Sequence, residues 1–167
     1  DSVKRKMLTL YRNDIQKYAS TYVFKVTQIF DTIPSQLQKH EKKFMLKALT
    51  EGARMRDYET AFFWLSDAMI VNMAYNTTET SIGLGMNTDD TTLKCYMADT
   101  GLLISHAFNE NTIVSENLYN KLLVDKLEFN GGMIVENIVA QMLRSAGHKL
   151  YFFSKYSKDD AQERMEL

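Results

Sequence analysis

Three carboxylates are the residues of this sequence whose types and spacing could support metal chemistry. Asp99 follows an apolar strand pattern, Glu136 lies within a helical pattern, and Glu166 lies in the last residues of the chain. Magnesium prefers oxygen ligands, so the three could share a cation if a strand at the end of the chain ran beside Tyr151–Phe153. An alternative stays open, in which Asp99 caps a helix and Glu136 is a helix-flank charge paired with a lysine or arginine.

The most basic stretch of the chain is residues 39–46, which read KHEKKFML. Lysine and arginine bind phosphates and release counterions, so this region favours a contact with DNA. The candidate DNA-binding residues are Lys42, Lys43, Lys47, Arg54 and Arg56. A charge run of this length is also typical of a solvated face beside core residues such as Phe44 and Leu46, and both interpretations stay open.

Other catalytic chemistries have no support in the sequence. Gly83-Leu84-Gly85 is a G-x-G, but a phosphate loop also needs a preceding strand, further glycines and usually a Gly-Lys-Ser/Thr. The histidines and Cys95 are isolated, without paired metal-ligand spacing, and no nucleophile motif is present. The sequence therefore predicts no catalytic residue beyond the candidates Glu136 and Asp99.

Composition and charge are those of an ordinary globular protein. The 167 residues are 45% apolar and 25% charged, and the formal net charge of −1 gives no general reason to expect nucleic acid or an anionic membrane. No apolar run approaches the roughly 20 residues that span a bilayer, and the charged start is not a signal peptide. A lone cysteine excludes an internal disulfide and fits a cytoplasmic location. Both ends of the chain are expected to be artificial.

The periodicity of the apolar residues predicts a mostly helical α/β protein. Helices are predicted over residues 3–19, 21–30, 57–69, 101–108 and 115–127, and strands over 70–75, 93–98 and 149–153. Residues 76–90 are predicted to form a polar loop. Pro34 is expected to break one helix and begin the first turn of another. Phe63 and Trp64 widen the stripe of their helix, which predicts burial on more than one side.

The sharpest helical pattern follows Gly131-Gly132. Its apolar positions have the spacing of one buried helix face and are Val135, Ile138, Val139, Met142, Leu143 and Ala146. The polar residues Asn137, Gln141 and Arg144 lie on the opposite side, and Glu136 lies at the border. Gly147 supplies the helix stop.

Four segments in order resemble the C-terminal part of a family of bacterial and archaeal AAA-type P-loop ATPases. They are residues 33–71, 93–103, 131–143 and 148–154. In that family an ATPase domain is followed by a winged-helix region and then by a domain of unknown function similar in fold to restriction endonucleases. The resemblance implies a winged-helix-like helical domain over residues 1–80. It also implies a truncated restriction-endonuclease-like α/β domain over residues 91–167, incomplete at its C-terminus.

The resemblance carries over to individual residues. Lys94, Tyr96, Asp99, Gly101 and Leu102 match the strand-to-helix motif, and Glu136 with Asn137 match a Glu-Asn helix. In nuclease-like folds such a glutamate can join an aspartate and an E-x-K on later strands around magnesium. Glu166-Leu167 resembles only the beginning of the next strand, so these partners, like the Walker motifs, lie outside the chain.

The leading hypothesis is a non-catalytic C-terminal region of an AAA-type ATP-binding protein that recognises DNA or a protein partner, or that assembles as a homo-oligomer. ATP and magnesium are implied for the parent, and no cofactor for this chain. One alternative is the remnant of a metal-dependent nuclease with Glu136 in its acidic site. Another is a plain winged-helix module that binds DNA through the basic residues named above.

Overall fold

In the computed structural model, the residues described are 2–39, 42–81, 83–108 and 131–154. They form five α-helices and a three-stranded sheet. The helices are α1 (Ser2–Tyr18), α2 (Val23–Leu37), α3 (Met55–Asp67), α4 (Thr100–Ala107) and α5 (Gly131–Ser145), and the strands are β1 (Val71–Thr77), β2 (Thr88–Met97) and β3 (Leu150–Phe153). The predicted mixed α/β class is confirmed. The predicted helix 115–127 lies outside the described residues.

No helix in the described part of the chain is long and apolar enough to cross a membrane.

The sheet has the order β2-β1-β3, with β1 antiparallel to β2 and parallel to β3. β1 comes from the first half of the chain, and both of its neighbours come from the second half. One hydrophobic core likewise contains residues from both halves. The predicted boundary between residues 80 and 91 therefore does not separate two sheets or two cores in the described residues.

Strand alternation gives the sheet two different faces. On one face, Ala74 of β1 lies in register with Lys94 of β2 and with Leu150 of β3, and α5 packs over this face. On the other face, Tyr75 lies in register with Leu93, beside α3. The small side chain of Ala74 thus lies at the centre of the face that α5 covers.

β1 extends to Thr77 and β2 begins at Thr88, so the predicted loop over residues 76–90 was wrong at both of its ends. Asn76 pairs with Asp89 and Thr77 with Thr88, after a shift of register between Tyr75 and Asn76. Threonine is β-branched and suits an extended strand even where the side chains are polar. The composition of this segment indicated a loop, but its backbone pairing extends the hairpin.

α2 continues through Pro34, and the predicted helix break was wrong. Proline lacks the N–H that would bond the carbonyl oxygen of Phe30 four residues earlier. In this fold Nε2 of His106, on α4, lies 2.9 Å from that oxygen, and its ring stacks on the Phe30 ring at a centroid distance of 4.7 Å. A side chain from another helix therefore supplies the donor that proline removes.

α3 buries one side rather than two. Tyr58, Ala61, Phe62 and Leu65 form its buried face, as predicted. Phe63 is 65% exposed, so the prediction that it widens the buried stripe was wrong. Its neighbour Trp64 packs against the core with only part of its surface.

Cys95 is buried in β2, and burial raises the pKa of its thiol far above the usual range. The thiolate is the reactive form, so we expect a thiol reagent to label the native chain about a hundredfold more slowly than the urea-unfolded chain. Because the chain has one cysteine, mass spectrometry of the labelled fraction against time reads this site alone. Native labelling at the rate of the unfolded chain would contradict the burial of Cys95.

Candidate functional site

The face that α5 buries differs from the predicted one. Its predicted buried face is largely exposed, with Val135 at 59% and Met142 at 66%, and Val139 and Leu143 about half exposed. The side chain of Asn137, predicted on the opposite side, is 0% exposed. The helix therefore packs inward through Asn137 and the apolar residues Met133, Ile134 and Ala140, and leaves an apolar row outside.

The hydrogen bonds of Asn137 explain this orientation. Its Oδ1 accepts from the backbone N–H of Met97 at 2.9 Å, and its Nδ2 donates to the Met97 carbonyl at 3.0 Å. Nδ2 also donates to Oγ1 of Thr100 at 2.8 Å. The amide thus pairs with both backbone groups at the end of β2, as a neighbouring strand would. Buried polar groups need such partners, so Asn137, together with the buried Met133, Ile134 and Ala140, fixes which side of α5 faces inward.

A second amide, one helical turn later, extends this contact. Oε1 of Gln141 accepts from the backbone N–H of Thr100 at 3.0 Å and from its hydroxyl at 2.9 Å. At the end of the helix, Gly147 has a φ of 86°, and the N–H of His148 bonds the carbonyl of Leu143 at 3.0 Å. This is a Schellman motif, and it confirms the helix stop predicted at Gly147.

Between α5 and the sheet lies a cleft of about 380 Å³, which we call the α5 cleft. Its floor is formed by sheet residues that include Ala74, Lys94 and Leu150, and its helix side by residues that include Glu136, Val139 and Leu143. The space exists because Ala74, at the centre of the floor, is small. The α5 cleft combines an apolar rim with a few charged groups, the usual composition of a ligand site.

Glu136 is held by two partners at the edge of the α5 cleft. Its Oε1 lies 3.3 Å from Nζ of Lys42, and its Oε2 accepts from the Tyr96 hydroxyl at 3.2 Å. The interpretation of Glu136 as a helix-flank charge paired with a lysine is confirmed. The side chain of Lys42 is only 11% exposed and its charge is paired with Glu136. Lys42 therefore does not present a free charge to phosphate, as the DNA interpretation required.

Asp99 serves as the N-cap of α4. Its Oδ1 accepts from the backbone N–H of Leu102 at 2.7 Å, which confirms the capping interpretation. Burial, together with the negative charge of Asp99, raises the pKa of Tyr11 on α1. Asp99 and Glu136 thus have separate partners, and Glu166 lies outside the described residues. Within residues 2–39, 42–81, 83–108 and 131–154, no group of three or more His, Cys, Asp or Glu side chains could hold a metal ion.

The other DNA candidates lie around α3 and the turn before it. Lys47, Arg54 and Arg56 are exposed, and Lys43 is half-buried. An acidic group accompanies them, since Nε of Arg56 lies 3.9 Å from Oδ1 of Asp57.

A larger cleft of about 600 Å³ opens beside Arg56, between α3 and the sheet. In it, burial and then the charge of Asp90 raise the pKa of Tyr75.

Sequence reasoning missed the burial of Lys94. It is 6% exposed and lies in an otherwise apolar strand segment, LKCYM. The signal that could have found it is strand alternation, which places Lys94 on the same face as Tyr96, whose hydroxyl bonds α5.

Residues 1–112 match the model of a protein family described as a domain of unknown function, DUF8612. The chain belongs to this family. No curated protein and no solved structure matches it. The family match includes Lys94, Tyr96 and Asp99 but ends before α5, so the α5 cleft is built from residues inside and outside the matched part.

Proposed function

We propose that this chain is a non-catalytic protein-recognition region, and that the row Val135, Val139, Met142 and Leu143 with the adjoining α5 cleft forms its recognition surface. The observation that carries the proposal is the exposure of this apolar row on a helix that buries Asn137 together with a second apolar set, Met133, Ile134 and Ala140. The resemblance in the sequence supports a parent of the AAA-type ATPase class, which would use ATP and magnesium elsewhere in its chain.

The exposed row is continuous along the helix. Val135, Val139 and Leu143 follow each other at intervals of four residues, so their side chains lie side by side along the helix. Single exposed apolar residues need no explanation, but a contiguous apolar patch marks an interaction site. A partner helix or strand laid along this row would remove its apolar surface from water.

At the α5 surface, the arrangement favours protein over DNA as the partner. DNA binding requires several lysines or arginines that are free to neutralise phosphates. In this structure Glu136 pairs with Lys42, and the row beside it is apolar. The nuclease alternative receives less support, because Glu136 and Asp99 each have their own structural partners.

Selection from a displayed peptide library tests the proposal with the purified chain. We expect the wild-type chain to enrich a set of peptides. The double variant Val139→Asp, Leu143→Asp should bind these peptides with an affinity at least about tenfold lower, since a charge desolvated at the contact is costly. Val3→Asp, Leu10→Asp is the matched control, because both positions are exposed apolar residues on α1. Circular dichroism confirms that each variant is folded.

Three results would contradict this function. The first is a set of selected peptides that bind wild type and the α5 double variant equally, or no enrichment at all. The second is retention of duplex DNA that weakens with salt as phosphate contacts must. The third is ATP turnover by the purified chain.

A further inference from the structure

Lys94 lies in the α5 cleft, where no carboxylate of the described residues pairs with its ammonium. The residue is 6% exposed, and its Nζ lies 5.0 Å from the centroid of the Phe152 ring. This cation–π contact is its one polar interaction with the part of the chain that the structure describes, where neither a carboxylate nor a hydrogen-bond acceptor reaches the ammonium. A buried ammonium normally pairs with an anion and donates hydrogen bonds. Among the residues that the structure describes, the ammonium therefore lacks an anionic partner.

The fold directs this side chain into the cleft. Lys94 alternates with Cys95 along β2, so it lies on the same face as Tyr96 and lines the cleft with Phe152. Its neighbour across the strand pair is Ala74, which is too short to cover the ammonium. The cleft thus has a cationic group in its floor beside open space.

The charges around the cleft define what would complete it. Lys42 and Glu136 neutralise each other at 3.3 Å, so among the described residues that line the cleft the remaining charge is the positive charge of Lys94. A metal cation would be repelled. A carboxylate brings one negative charge and accepts charge-assisted hydrogen bonds from an ammonium. The apolar residues of the rim, among them Val139 and Leu143, favour an apolar body attached to that carboxylate.

We infer that the α5 cleft binds a carboxylate that a partner protein carries among apolar side chains, with Lys94 as the charge partner of that carboxylate. This inference rests on the proposed function and adds the chemistry of the partner. The apolar side chains of the partner lie along Val135, Val139 and Leu143, and its acidic side chain reaches past them to Lys94.

A pair of small probes tests the charge partner directly. 4-Phenylbutyrate carries a carboxylate on an apolar body, and 4-phenylbutyramide has the same shape without the charge. We expect NMR titration to give a dissociation constant about tenfold lower for the carboxylate, because one charge-assisted hydrogen bond is lost with the amide. An intermolecular NOE from the butyrate methylenes to the Lys94 ε-methylene places the probe and is read on wild type, independently of any variant.

Lys94→Met is expected to bind both probes with equal affinity, whereas Lys6→Met, at an exposed lysine of α1, keeps the wild-type preference. Equal binding of the two probes by wild type, or no binding of either at about 10 mM, would overturn the inference. An unchanged preference in Lys94→Met would do so too, while peptide binding sensitive to Val139 and Leu143 would still support protein recognition. Probe binding through Lys94 without any peptide selection would instead contradict the proposed function.

Discussion

Replacing Asn137 with leucine is expected to lower the free energy of unfolding by about 3 kcal/mol, one of the two largest effects that this structure predicts. The substitution keeps the approximate volume of the side chain and removes all three of its hydrogen bonds. The backbone N–H and carbonyl of Met97 then stay buried without their partner. Leaving such groups unpaired costs more than the hydrogen bonds themselves contribute. Urea unfolding followed by circular dichroism measures the change.

The matched control for this variant is Asn13→Leu, at an exposed position of α1. It makes the same chemical change at the surface and is expected to alter the free energy of unfolding by no more than about 0.5 kcal/mol. Equal unfolding midpoints for the Asn137 and Asn13 variants would show that the amide contact with Met97 does not hold α5 in place.

Replacing His106 with leucine is expected to cost about 2 kcal/mol, because the Phe30 carbonyl loses its donor and Pro34 cannot replace it. In the background of Pro34→Ala the same change should cost about 1 kcal/mol less, since the substituted alanine brings an N–H that can bond this carbonyl within α2. A double-mutant cycle measured by urea unfolding gives the coupling directly. If the two substitutions changed the free energy of unfolding additively, His106 would not be replacing the N–H that Pro34 lacks.

The pH dependence of stability gives a second measure of this contact. Burial lowers the pKa of His106 below its ordinary value of 6.5, against the opposing effect of its hydrogen bond to Phe30. The unfolded chain therefore binds the proton more readily, and the contribution of His106 to stability is complete above pH 6.5 and lost progressively as the pH falls below it. His106→Leu should flatten this part of the stability profile. A profile that keeps the full wild-type slope would show that another group causes it.

Helical periodicity predicted much of the fold because most of its helices bury an apolar stripe. α1 and α3 lie where the spacing of apolar residues placed them, and α4 follows the helix cap predicted at Asp99. The same rule chose the wrong stripe for α5, which has apolar residues on both its buried and its exposed side. Asn137 and Gln141 lie four residues apart and together meet Met97 and Thr100, backbone groups whose need for partners no local pattern reveals.

The candidate site was predicted by residue type and missed in its geometry. Glu136 was expected to pair with a lysine or arginine, but its partner Lys42 lies 94 positions away in the sequence. A single sequence without its fold gives no means of choosing that lysine among the others. Lys94 was expected to be part of a family motif, and only the register with Ala74 and Leu150 shows that it lies at the floor of a cleft.

The position of β1 has a consequence for the order in which the molecule assembles. During synthesis, β1 and β2 can form their hairpin once residue 97 has emerged, but β1 has no second neighbour until Leu150–Phe153 follows. Until then one side of β1 is an open strand edge, able to pair with another nascent chain. Parallel pairing at such long sequence separation forms slowly. β3 is therefore the strand that closes the sheet against aggregation on that side.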